Sequence, residues 1–142
     1  MLLIDTDVLI IAANRHDDRH VTAKACVERL INGGGTVIFA SASLVGFVRT
    51  VTRAIRGLPQ LTLGEAFGVI DLLLARPRVQ LAVPDALHFS RVRELLEGAG
   101  AGGRHVDDAH LAALALQYSA TIVSFDRGFA RFPGIKWESP AA

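Results

Sequence analysis

The sequence predicts an α/β domain with a mainly parallel central sheet of four to five strands flanked by helices. Three observations lead there. Short β-branched or aliphatic runs alternate with helical patterns along the whole chain. The length of 142 residues suits one domain spanning 1–142. Hydrophobic residues make up 51% and charged residues 20%, enough for a core and incompatible with disorder.

Leu2-Leu3-Ile4 reads as a buried strand whose carboxyl end carries Asp5. Val8 to Ala13 predicts a first helix, and His20 to Ile31 a second, closed by Gly33-Gly34-Gly35. Thr36 to Ala40 is β-branched and apolar, a second strand. Ser41 or Ser43 is positioned to cap a helix running to about Arg56, where Gly57 and Pro59 stop it. Thr62-Leu63-Gly64-Glu65 has capping-box spacing and opens a helix through Ala75, ended by Pro77. Val79 to Val83 is a third strand, and Asp85 is expected to cap a helix to about Glu97. Gly98 to Gly103 reads as a flexible loop. Asp108 to Ser119 is apolar on most faces, so that helix should be buried. Thr121 to Ser124 is a fourth strand and Ile135-Lys136-Trp137 a candidate fifth, where Trp137 should pack.

A formal net charge of +1 points to no polyanionic partner by itself. Thirteen of the fifteen basic residues are arginine, Lys24 and Lys136 being the only lysines. The guanidinium fork suits phosphate; a GC-rich genome is an equal explanation. Arg49, Arg53 and Arg56 at i, i+4 and i+7 read either as a phosphate-binding stripe or as a solvated helix face. The lone cysteine, Cys26, excludes an internal disulfide and a cysteine zinc site and suits a reducing cytoplasm. Asp5 and Asp7 break the apolar start, so no secretory signal is expected. The uncharged stretch from Gly33 to Val48 is too short and polar for a membrane span.

Ligands of parallel sheets bind beyond the carboxyl ends of the strands. Two strand ends deliver an aspartate there, Asp5 and Asp126, while Asp107-Asp108 opens the buried helix. Each alone reads equally as a cap. Gathered at one sheet edge, such carboxylates repel and call for a hard divalent cation, Mg²⁺ or Mn²⁺. The histidines offer no clear ligand: His16 and His20 lie in a polar loop, His105 and His110 sit near the acidic pair with His110 one turn into the helix and read as packing, and His88 lies in a helix pattern with no partner in view.

Those acids stand in motifs that resemble a known family. Leu3-Ile4-Asp5-Thr6-Asp7-Val8-Leu9-Ile10 resembles the opening motif of PIN-domain nucleases. Asp107-Asp108-Ala109-His110-Leu111-Ala112-Ala113-Leu114-Ala115 looks like their third acidic motif, with Asp108 as its acid. Ser124-Phe125-Asp126-Arg127-Gly128-Phe129 is similar to the closing motif of the VapC toxins. The resemblance spans almost the whole chain and implies a single PIN-like domain. It further implies a metal-dependent ribonuclease, the toxin of a type II toxin–antitoxin pair, a homodimer held in check by a VapB-type antitoxin. By the same carry-over Asp5, Asp108 and Asp126 hold Mg²⁺, and Thr6 and Asp107 support them; Arg49 and Arg53, from their spacing, are the candidates to bind substrate. One position departs: Gly46 stands where the family carries a glutamate, in the frame Ser43-Leu44-Val45-Gly46-Phe47-Val48-Arg49. The expectation is weakened metal binding, whether that glycine is natural or engineered.

Two other readings compete. Asp5-Thr6-Asp7-Val8-Leu9 also resembles the nucleophile motif of haloacid-dehalogenase phosphatases, which need a mid-chain lysine that Lys24 and Lys136 are poorly placed to supply. With Gly46, the chain also reads as a catalytically silent module that binds RNA or antitoxin.

Overall fold

The computed structural model describes residues 1–141. Five short strands form one parallel sheet: β1 (Leu2–Ile4), β2 (Val37–Ala40), β3 (Val79–Ala82), β4 (Thr121–Val123) and β5 (Trp137–Glu138), in the order β3-β2-β1-β4-β5. Six helices connect them: α1 (Thr6–Ala13), α2 (His20–Asn32), α3 (Ser41–Val51), α4 (Leu63–Leu74), α5 (His88–Ala99) and α6 (Val106–Tyr118).

The two-residue period of the strands sorts the core into two halves. Leu3, Ile38, Ala40, Ala82 and Ile122 pack with Val92 and Leu95 of α5 and with Ala109 to Ala115 of α6. Ile4, Val37, Phe39 and Val79 pack instead with side chains of α1, α2, α3 and α4. Both faces of the sheet are therefore covered, which is why its strands read as continuous apolar runs. The chain first adds strands on one side of β1 and then crosses to the other. β1 and β4 are consequently neighbours, with Ile4 opposite Val123, and the Asp5 amide donates to the Val123 carbonyl at 3.0 Å. This reversal of strand order opens the crevice in which parallel sheets hold ligands.

Several elements match the sequence expectation closely. The capping box on α4 is present in both directions, Thr62 Oγ1 accepting from the Glu65 amide and Glu65 accepting from the Thr62 amide. Cys26 is buried, and Trp137 pairs within β5 and donates its indole N–H to the Ser124 carbonyl at 3.0 Å. Among the described residues no helix is long and apolar enough to cross a membrane.

Other elements differ, each for a local reason. α3 stops at Val51 rather than Arg56, because the Thr52 hydroxyl back-bonds to the Val48 carbonyl at 2.6 Å and the Leu61 amide takes the Val51 carbonyl at 2.8 Å. The last-turn carbonyls are thus satisfied without more helix. Arg53 and Arg56 lie beyond the helix, and the proposed arginine stripe does not exist as one helical face. Neither Ser41 nor Ser43 caps α3. Asp85 makes a turn ahead of α5, accepting from the Leu87 amide at 3.0 Å, rather than capping the helix. The stretch read as a flexible loop is structured: α5 runs to Ala99, Gly100 takes the left-handed cap at φ 60°, and Gly103–His105 form a 3-10 turn leading into α6.

Candidate active site

The carboxyl ends of β1 and β4 bring Asp5 and Asp126 to one edge of the sheet, and α6 adds Asp108 from its first turn. Each acid is held by its own neighbourhood. Asp5 accepts from the Thr6 amide at 2.7 Å and from the Ser124 hydroxyl at 2.8 Å. Asp126 accepts from the Gly128 amide at 2.7 Å, opening a short 3-10 turn. Asp108 lies 3.5 Å from the Arg131 guanidinium. The cap reading of Asp5 and Asp126 therefore holds locally, whereas Asp107 and Asp108 make no capping bond.

The acids nevertheless sense one another. Burial and then the Asp126 and Asp5 charges push Asp108 up to about 6, against the pull of Arg131. Burial raises Asp5 as well, with Asp126 adding to the shift. A cavity of about 320 Å³ opens between α3 and α6, lined by Asp5, Thr6, Gly46, Arg49, Asp107, Asp108 and His110 among others. The sequence-derived residues thus meet in one place, with two exceptions. Asp126 contributes charge from beside the cavity rather than as part of its wall, and Arg53 sits exposed past the end of α3. Lys24 and Lys136 line other cavities, neither of which includes Asp5.

Position 46 belongs to this wall. A Cβ built on Gly46 would stand 3.3 Å from Thr6 Cγ2 and 4.0 Å from the Arg49 guanidinium. A side chain there would enter the space beside Asp5. The glycine thus leaves room where an acid would reach its neighbours.

Two residues with no assigned role in the sequence prove central. Ser124 is fully buried; its amide neighbour Asp126 donates to Oγ at 2.9 Å, and Oγ stands 2.8 Å from Asp5 and 3.2 Å from Asp7. One hydroxyl proton cannot serve two carboxylates equally. The shorter bond goes to Asp5, and Asp7 Oδ2 is the longer, weaker acceptor of the same hydroxyl. Asp7 is pushed up to about 7 by burial and then by the Asp5 charge, against the pull of the Ser124 hydroxyl and the Phe125 amide. Its Oδ2 also accepts from the Phe125 amide at 3.0 Å, while its buried Oδ1 has no partner. Asp7 and Ser124 therefore staple the end of β4 to the start of α1. The other residue pair that spacing missed, His88 with His110, is brought together only by packing of α5 on α6.

The donor set fits a hard divalent cation: oxygen only, anionic, and self-repelling without a positive partner. Among the described residues, however, no three acidic, histidine or cysteine side chains already form one ligand shell.

A parallel sheet covered on both faces, with acids gathered where its strand order reverses, is the architecture of the PIN class, and the family model described as PIN domain matches residues 2–135. Ribonuclease VapC43 of Mycobacterium tuberculosis is 35% identical over 140 residues, covering 99% of this chain and 95% of that one. Ribonuclease VapC37 of the same organism is 34% identical over 144 residues, covering 100% and 99%. Among solved structures, VapBC2 from Rickettsia felis bound to a DNA fragment from their promoter superposes with a TM-score of 0.70 at 21% identity, over 97% of each chain. The chain belongs to the PIN-domain family, in its VapC ribonuclease branch. The haloacid-dehalogenase alternative for Asp5-Thr6-Asp7 falls with that assignment.

Proposed function

We propose that this chain is a metal-dependent endoribonuclease, the toxin of a type II pair, acting in the cytoplasm on RNA phosphodiesters. The observation that carries the reading is the convergence of Asp5, Asp108 and Asp126, from three separated segments, at the crevice beside β1 and β4. The VapC relatives of matching length support it.

Asp5, Asp108 and Asp126 would hold Mg²⁺, with Mn²⁺ a chemically equivalent occupant. When bound, the cation supplies an activated water and neutralises charge on the phosphate oxygens. The chain's own residues set the stage. Ser124, held by the Asp126 amide, orients Asp5, and Thr6 fixes Asp5 through its amide. Asp107 adds negative charge at the cavity rim, and Arg49 supplies a guanidinium on the opposite wall for the RNA phosphate. Arg53, outside the cavity, is left to contact a longer strand. Single-stranded or looped RNA suits this site better than a duplex, whose deep groove hides its bases.

A VapB-type antitoxin and a homodimer complete the reading. The segment from edge strand β3 to the start of α5 leaves Leu81, Val83, Leu87 and Phe89 exposed, apolar surface that self-association would cover. Sedimentation equilibrium of the free chain checks that state; a monomer at all concentrations contradicts it.

Gly46 favours a second reading, a module that binds without turnover. One experiment separates the two. The chain and its Gly46→Glu variant are incubated with cellular RNA, with and without Mg²⁺. Mg²⁺-dependent cleavage by the variant alone marks a nuclease scaffold lacking its fourth acid. Equal cleavage by both means that three acids suffice. No cleavage by either overturns the nuclease reading.

A further inference from the structure

The acids leave one buried side-chain pair unexplained. His88, the first residue of α5, is 4% exposed, and its Nε2 lies 2.7 Å from Nδ1 of His110 on α6. The rings meet edge to face, with centroids 4.7 Å apart and planes at 81°. His110 lines the acidic cavity together with Asp5, Asp108 and Arg49.

An imidazole–imidazole hydrogen bond needs one proton on the shared line. Burial, and then the His110 and Arg91 charges, hold His88 below the ordinary histidine range, so it is neutral and has one N–H to place. Its Nδ1 is buried without a partner. A proton there would be an orphaned buried donor, the rarer and costlier kind of unpaired polar group. The proton therefore sits on Nε2 and is donated to His110 Nδ1. An imidazole whose Nδ1 accepts carries its own proton on Nε2.

We propose that His110 presents Nε2–H in the cavity as a donor to a non-bridging phosphate oxygen of the RNA, and that His88 is the positioning residue that fixes this tautomer and ring orientation. The proposal rests on the ribonuclease reading. A phosphodiester entering the cavity meets in Asp5, Asp107 and Asp108 acceptors it cannot use. The side-chain donors lining the cavity are Arg49, the Thr6, Ser43 and Thr50 hydroxyls and His110, so an N–H of direction fixed by the His88 bond adds a contact to a phosphate oxygen.

Two measurements on the full chain test it. Long-range ¹H–¹⁵N spectra report tautomers directly: His110 should be protonated on Nε2 in the wild type and in His88→Gln, whose amide N–H replaces the lost donor, and mixed in His88→Leu. Fluorescence anisotropy with a short fluorescein-labelled single-stranded RNA of random sequence, with Ca²⁺ in place of Mg²⁺, reads binding. His110→Leu should weaken it roughly tenfold, the scale of one hydrogen bond to a charged group. His110→Gln and His88→Gln should stay within about twofold of wild type on the same scale. Wild-type affinity in His110→Leu, or a proton on His110 Nδ1, overturns the proposal while leaving the nuclease reading intact. Failure of the wild type to bind RNA overturns that reading and this one with it. If His88→Leu does not fold, the Gln variants and the wild-type spectra decide.

Discussion

Replacing Gly46 is the sharpest perturbation this site offers. A helix-interior glycine costs about 1 kcal/mol relative to alanine, so Gly46→Ala begins with that gain. Against it stands the new Cβ, 3.3 Å from Thr6 Cγ2, slightly inside the favourable range for carbon pairs of roughly 3.5–4.0 Å. Thr6 must retreat a few tenths of an ångström. Only a long 3.4 Å hydrogen bond to the Ser43 carbonyl holds its hydroxyl, so the retreat is cheap. The net expectation is a gain of about 0.5 kcal/mol for Gly46→Ala. Gly46→Glu carries the same Cβ contribution, but its charge joins those that already raise Asp5 and Asp108. In EDTA the repulsion should cancel the gain. If the added carboxylate tightens Mg²⁺ binding about tenfold, saturating Mg²⁺ stabilises the variant by an extra ~1.4 kcal/mol. That corresponds to about 3–6 °C in Tm for a domain of this size. Thermal melts of wild type, Gly46→Ala and Gly46→Glu across an Mg²⁺ titration measure each contribution separately. An Mg²⁺-induced shift in Gly46→Glu no larger than in wild type would falsify the claim that position 46 faces the cation site. A lower Tm for Gly46→Ala would refute the argument that Thr6 can give way.

Three further outcomes follow from the same physics. Asp7, raised from 3.8 to about 7, holds a proton in the folded state that the unfolded chain releases; its contribution is full below pH 4 and fades as pH rises through 7. Asp7→Asn, a mimic of the protonated acid, should therefore stabilise the metal-free protein above pH 7, on the order of 3 kcal/mol, with no gain at pH 4; urea melts at both pH values in EDTA check the sign, and a pH-independent effect contradicts it. Phe47, fully buried among Phe39, Leu44 and Ile70, should cost about 3–5 kcal/mol as Phe47→Ala by urea denaturation. Thr62→Ala, which removes the acceptor for the Glu65 amide, should cost about 1 kcal/mol in the same assay, and no loss would mean that the box contributes nothing.

Much of the fold was legible because its signals are local. Short continuous apolar runs and helical patterns between them mark all five strands and six helices, and Thr62 with Glu65 announces its own capping box four residues long. Boundaries were legible only where the chain itself supplied the stop. The end of α3 was not, because the Val51 carbonyl is satisfied by Leu61, a residue ten positions on. The arginine stripe failed for that reason alone.

The site divides along the same line. Composition, the Asp5, Asp108 and Asp126 motifs and the glycine at position 46 were all set out in the one-dimensional chain, since each occurs in a short fixed pattern. What only the tertiary structure decided was which groups share an environment. Asp7 and Ser124 are 117 positions apart and meet because β1 and β4 are neighbours in the sheet. His88 and His110 are 22 apart and meet because α5 packs on α6. Proton sharing and burial depend on distance in space, and sequence spacing carries that distance only within a turn or two of one helix.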